Sequence, residues 1–97
     1  MKKTYTKTGK GCRVTFSLPA DLKARKAAVV GDFNDWDPKT HPLKKRKDGR
    51  FSATISLDSG KEYRFRYLLD GKKWENDWDA DKYLPNEHGE EDSVIVT

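Results

Sequence analysis

The side chains in this sequence best suited to do chemistry are flat aromatic rings with hydrogen-bonding groups: Trp36 and Trp74, with Trp78 as a further candidate, together with Asn34, Arg64, Arg66, Lys73 and Asp92. A pyranose presents apolar C–H faces and hydroxyl edges. A surface that holds it needs indole or phenol rings for the faces and amide or ionic groups for the edges, and tryptophan, with one apolar face and one wet edge, fits that use. The same set could stack nucleobases while its cations meet phosphates, and each Trp could instead pack in the core. Catalytic chemistry has less to work with. The two histidines, His41 and His88, lie far apart in loop-forming stretches, and no Ser or Cys stands in a Gly-x-Ser-x-Gly context. Most Asp residues fall in turns, where the carboxylate serves its own backbone. Asp77, Asp79 and Asp81 begin a calcium-loop spacing, but Lys82 stands where glycine is required and His88 where glutamate is. No catalytic residue, metal ligand set or cofactor site is expected, and the chain reads as noncatalytic.

The stretch from Gly31 to Pro38, Gly-Asp-Phe-Asn-Asp-Trp-Asp-Pro, places two aromatics inside a run of turn formers. Phe33 is expected beneath this loop as an anchor and Trp36 on its outside as a contact. The elements that must carry the loop are strands. Val14, Phe16 and Leu18 alternate with Arg13, Thr15 and Ser17; Phe51, Ala53, Ile55 and Leu57 alternate with Ser52, Thr54 and Ser56; Tyr63, Phe65, Tyr67 and Leu69 alternate with Arg64, Arg66 and Leu68. The run from Lys26 to Val30 reads as a buried central strand leading into the aromatic loop. The basic stretch from Leu43 to Lys47 reads as an exposed edge strand, and the stretch from Ser93 to Thr97 as a closing one. Asp48-Gly49 and Asp70-Gly71 are hairpin turns, and Lys72-Lys73-Trp74 starts the return strand, on which Trp74 is expected to share a face with Arg66 or lie just above it. Residues 75–92 read as a long polar connection. With about seven short strands and no amphipathic helix, the pattern describes an all-β, immunoglobulin-like antiparallel sandwich.

A chain of 97 residues supports one domain that buries roughly two thirds of its unfolded surface. Residues 1–11 are expected to be a flexible lead-in and residues 12–97 the folded unit. The single cysteine, Cys12, leaves no internal disulfide, and the basic start is followed by no apolar run fit for a signal core or a membrane span, so a cytoplasmic location and no membrane contact are expected. The net charge of +4 is unevenly spread. Residues 1–73 hold 19 Lys and Arg against 8 Asp and Glu, a net of +11, and residues 74–97 hold 1 against 8, a net of −7. Such segregation suits an acidic tail folding back across a basic sheet, and nucleic acid is disfavoured as a partner.

Taken together, Gly31-Asp32-Phe33-Asn34-Asp35-Trp36, Asp48-Gly49-x-Phe51, Tyr63 to Gly71 with Trp74, Asn76-Asp77, Ala80-Asp81, Pro85-Asn86 and Asp92-Ser93-Val94 resemble, in this order, family 48 carbohydrate-binding modules. These include the early-set domain before the catalytic barrel of isoamylases and branching enzymes, and the glycogen-binding domain of the AMP-activated protein kinase beta subunit. The likeness covers roughly residues 12 to 97. It implies an immunoglobulin-like sandwich that holds α-1,4-linked glucan, such as glycogen or a maltooligosaccharide, between two tryptophans. Trp36 matches the first, Trp74 the second, and Arg66 the basic group, with Lys73 as its substitute in another hairpin register. Asp92 stands where such modules carry an asparagine and His88 where they carry a leucine, and the Lys72-Lys73 segment is one residue longer than in the kinase module. The alternative that the resemblance carries is an early-set domain that braces or recruits a separate glycogen-metabolising enzyme without binding free sugar.

Overall fold

A computed structural model describes residues 1–20 and 22–97. Nine strands follow one another: β1 (Lys2–Tyr5), β2 (Gly11–Leu18), β3 (Ala27–Gly31), β4 (Pro42–Lys45), β5 (Phe51–Asp58), β6 (Glu62–Leu69), β7 (Lys73–Glu75), β8 (Lys82–Pro85) and β9 (Glu91–Val96). A 3-10 turn, Asp32–Asn34, follows β3. Every strand pairing is antiparallel, in the order β1-β2-β5-β4-β3-β6-β9-β8, with β7 added on β6. The fold is all-β, and Cys12 is a buried free thiol. Among the described residues the count is nine strands, where about seven were expected. The two halves expected as the separate sheets of a sandwich are joined edge to edge into one curled sheet.

The joint is β4. Its first two residues pair with β3 (Ala28 with Pro42, Ala27 with Leu43) and its last two with β5 (Lys44 with Ser52, Lys45 with Phe51). The basic stretch read as an edge strand is therefore an interior corner, and its lysines lie at the bend rather than guarding an edge. Inside the curl, Phe16 meets Phe65 edge-on with ring centroids 5.0 Å apart, and Phe65 meets Tyr67 at 5.7 Å. Phe33 reaches in from the aromatic loop to 5.5 Å from Phe16, the anchoring place expected for it. The alternation read in β2, β5 and β6 matches this core: Val14, Phe16, Phe65 and Tyr67 have no exposed surface. Strand β3 is buried along its whole length, because β4 and β6 flank it.

Two strands lie where no regular element was expected. β8 pairs with β9 within the polar connection, and β1 pairs with β2 within the lead-in expected to be flexible. Strand β1 is also tied across the curl, where Lys3 Nζ donates to Asp81 Oδ2 at 2.6 Å and to the Val96 carbonyl at 2.9 Å, and the Val96 N–H donates to Asp81 Oδ2 at 2.7 Å. Partial burial alone would raise the Asp81 carboxyl, but the Lys3 ammonium and the Val96 N–H outweigh it and hold its pKa below the ordinary 3.8. A depressed carboxyl stabilises the folded state above the unfolded value, and that contribution is lost as pH falls through the folded one. Wild-type stability is therefore expected to drop below about pH 4 more steeply than that of Asp81→Asn, as read from urea midpoints at pH 7, 4 and 3. Parallel acid limbs would show that Asp81 carries no such linkage.

Candidate functional site

The aromatic loop starts at a point of close backbone contact. Gly31 lies opposite Phe65 in the ladder, and a Cβ there would stand 2.3 Å from the Arg64 carbonyl oxygen and 2.7 Å from Phe65 Cβ. Beyond it the chain is held by its own side chains. Asn34 Oδ1 accepts the Gly31 N–H at 3.0 Å, and Asn34 Nδ2 donates to the Val29 carbonyl at 3.0 Å while lying 2.9 Å from His41 Nδ1. Asn34, read from the sequence as a surface hydrogen-bonding group, is thus consumed in building the loop. Asp35 and Trp36 both take left-handed backbone conformations, with φ of 54° and 58°, which non-glycine residues rarely adopt and which cost of order 1 kcal/mol or more each.

What holds Trp36 there is Asp32. The Trp36 N–H donates to the Gly31 carbonyl at 2.9 Å, and its indole Nε1–H donates to Asp32 Oδ1 at 3.0 Å. Asp32 Oδ2 in turn accepts the backbone N–H of Arg64 on β6 at 2.8 Å. One carboxylate therefore fixes the rotamer of the indole and ties the loop to the neighbouring strand.

Trp74 arrives from the other side through the Asp70-Gly71 hairpin. Both turn residues have positive φ, 53° and 68°, and the Lys72 N–H donates to the Leu69 carbonyl at 3.0 Å, the backbone of a type I′ turn. Lys72 stands as an extra residue between this turn and the ladder, and the register sets Trp74 opposite Leu68 and Lys73 opposite Leu69. Directly paired residues share a face, and successive residues alternate. Trp74 therefore lies on the outer face of β6 with Leu68 and Arg66, as expected. Lys73 lies on the opposite face, 72% exposed and 3.9 Å from Glu75. Lys73, read as a substitute for Arg66 in another register, is therefore placed outside the groove.

Between the two tryptophans run the arginines of β6. The Arg66 guanidinium lies 5.7 Å from the Trp74 ring centroid and donates to Glu90 Oε2 at 3.2 Å; its buried Nε has no partner among the described residues. Arg64 donates to the Pro85 carbonyl at 3.1 Å and to Asp92 Oδ2 at 3.3 Å. Asp92 is 6% exposed, and its other oxygen accepts Asn86 Nδ2 at 3.1 Å. Asn86 Oδ1 accepts the N–H groups of His88 and Glu90, closing the loop between β8 and β9. Arg64, Arg66, Asn86 and Asp92 line one open groove of about 700 Å³, with Trp36, Trp74 and His88 among its walls.

The structure thus gathers Trp36, Arg66, Trp74 and Asp92 around one groove and leaves Lys73 outside. It also brings in Arg64, named from the sequence among the candidate side chains, and adds Asp32 and Asn86 on the lining and Glu90 as the partner of Arg66, which the sequence reading did not single out as site residues. Arg64 was legible because it stands two residues before Arg66 on the same strand face. Glu90 gave no such signal, because its pairing depends on a loop reaching over from 24 residues away. The acidic segment folds back, but onto the arginines of β6 and onto Lys3. The outward-facing Lys2, Arg13 and Lys44 of the other half have no carboxylate within 4.0 Å among the described residues.

Residues 4–84 match the family of carbohydrate-binding module 48, the isoamylase N-terminal domain. The chain belongs to this family. The groove wall formed by Asn86, His88 and Asp92 lies beyond the matched residues of the module. Among curated relatives, a 1,4-alpha-glucan branching enzyme of Xanthomonas campestris pv. campestris is 35% identical over 51 residues, which cover 50% of this chain and 7% of that enzyme. Another from Novosphingobium aromaticivorans is 40% identical over 48 residues, covering 50% and 7%, and a third from Thiobacillus denitrificans is 38% identical over 60 residues, covering 60% and 8%. The module therefore matches less than a tenth of the length of each of these enzymes.

Proposed function

We propose that this chain is a noncatalytic α-glucan-binding module whose groove holds a segment of glycogen or a maltooligosaccharide between Trp36 and Trp74. The observation that carries the reading is the convergence of two indoles from separate elements on one open groove, with hydrogen-bonding side chains between them. The rings offer flat apolar surface to successive glucose faces, and Arg66 offers an ionic edge to the hydroxyls, while Asp92, buried with both oxygens taken by Arg64 and Asn86, positions the site rather than meeting the sugar. Apart from Glu87, which lines the groove exposed beside His88, the carboxylates at the site are engaged in fixing these groups: Asp32 holds two N–H groups, Asp92 holds Arg64 and Asn86, and Glu90, outside the lining, holds Arg66. They serve as scaffolding rather than as an acid and base pair. Because a glucan carries no charge, its binding should respond little to salt, whereas phosphate binding would weaken steeply.

A shallow site with two rings implies a Kd of roughly micromolar to millimolar, about 4–8 kcal/mol. Maltoheptaose titrated into the wild-type chain is expected to give saturable heat and a change in tryptophan fluorescence, and Trp36→Ala to lose at least about tenfold in affinity while staying folded. A folded wild type with no response to millimolar maltoheptaose would reject the reading.

A further inference from the structure

A third indole stands apart from this groove. Trp78 is 70% exposed, against 41% for Trp74, so it adds little to the core, yet the chain on either side of it is firmly held. Asp77 is 5% exposed, and its carboxylate accepts the Tyr67 hydroxyl at 2.6 Å and the Asp79 N–H at 2.7 Å. The Asp77 N–H donates to Ser93 Oγ at 2.9 Å, and the Tyr83 hydroxyl donates to the Asp77 carbonyl. A buried carboxylate and three hydroxyls thus fix a loop that carries an exposed indole. Beside that indole is a groove of about 240 Å³, lined by Leu18, Pro19 and Leu22 and by the polar groups of Arg50 and Asp79.

We infer that Trp78 is a second platform for neutral glucan, stacking a glucose ring on the indole while Arg50 and Asp79 meet its hydroxyls. The inference rests on the glucan reading of the first groove and adds a site to it. The chemistry of the wall chooses the ligand. A flat aromatic and an apolar wall take a ring face, and ionic groups of both signs take hydroxyls, which donate and accept. A phosphate chain would meet the exposed Asp79 carboxylate. The groove has room for a ring or two rather than for the roughly 800 Å² per partner of a stable protein interface.

Each tryptophan gives its own indole N–H cross-peak in a nitrogen-15 correlation spectrum, and Phe substitutions at Trp36, Trp74 and Trp78 assign them. With maltotriose and maltoheptaose added to the labelled chain, the Trp78 peak is expected to move saturably with its own midpoint, and to keep moving in Trp36→Ala. A Trp78 peak that stays still to roughly 20 mM sugar, well past a millimolar Kd, while the Trp36 peak moves, overturns the second platform and leaves the first groove standing. A Trp78 shift that vanishes in Trp36→Ala is a relayed effect and overturns it too. If no indole moves, both fall.

Discussion

Gly31→Ala is expected to cost about 3 kcal/mol or more, the largest loss from a single methyl group in this chain. The cause is contact, not backbone freedom: Gly31 is extended, with φ of −171°, a conformation open to any residue. An added Cβ would meet the Arg64 carbonyl oxygen at 2.3 Å, Phe65 Cβ at 2.7 Å and Phe65 Cα at 2.9 Å. None of these is the free end of a flexible side chain, so relief requires β3 and β6 to part where Gly31 pairs with Phe65. Phe65 is fully buried against Phe16 and Tyr67, so parting the strands also disturbs the core. Against a total of roughly 5–15 kcal/mol for a domain, such a loss should move the urea midpoint by on the order of 1–3 M. The site should suffer as well, because the Gly31 carbonyl holds the Trp36 N–H and Asp32 bridges to the Arg64 N–H. A variant with an unchanged midpoint and wild-type maltoheptaose affinity would show that the two strands are less tightly apposed than described.

How much of this was legible in the sequence follows from which faces are wet. Strands β2, β5 and β6 bury one face and wet the other, which writes a period of two into the chain, and β3, buried throughout, shows as a short apolar run. Strands β1 and β8 lie at the two ends of the sheet, and their burial alternates little; with little core to line they carry no period, so they passed for a lead-in and a connection. Strand β4 was read as a strand but given the wrong place, because its basic composition suits an edge and an interior corner equally well. At the groove, Trp36, Arg66 and Trp74 were legible because two lie in or beside turns whose chemistry is local and one lies on an alternating strand. Lys73 stands outside the groove by one step of that alternation, which the hairpin register decides. Asp32, Asn86 and Glu90 act through loops folded onto distant strands, and nothing local in the chain announces such contacts.

Asp77→Ala is the second large effect expected, about 3 kcal/mol of lost stability, and it joins the core to the exposed face. Tyr67 has no exposed surface, and its hydroxyl has Asp77 Oδ2 as side-chain partner. Burial first, and then the neighbouring Asp77 charge, hold the hydroxyl pKa far above its ordinary 10.0, so it remains a donor at any working pH and needs an acceptor. Alanine leaves that donor unpaired in the core, a desolvation cost of about 1–3 kcal/mol, and frees the Asp79 N–H as well. Asp77→Asn should fall between wild type and Ala, since its one amide oxygen can accept from Tyr67 or from Asp79 but its nitrogen opposes the other donor. Urea denaturation of the three proteins tests the order, and equal midpoints for wild type and Ala would show that the Tyr67 hydroxyl does not depend on Asp77. The same substitution should loosen the loop under Trp78, read as a lower order parameter at its indole N–H with the Trp36 indole unchanged. A looser platform pays more entropy on meeting a sugar ring, so Asp77→Asn, if folded, should weaken any glucan response of the Trp78 peak while leaving the midpoint at Trp36 in place.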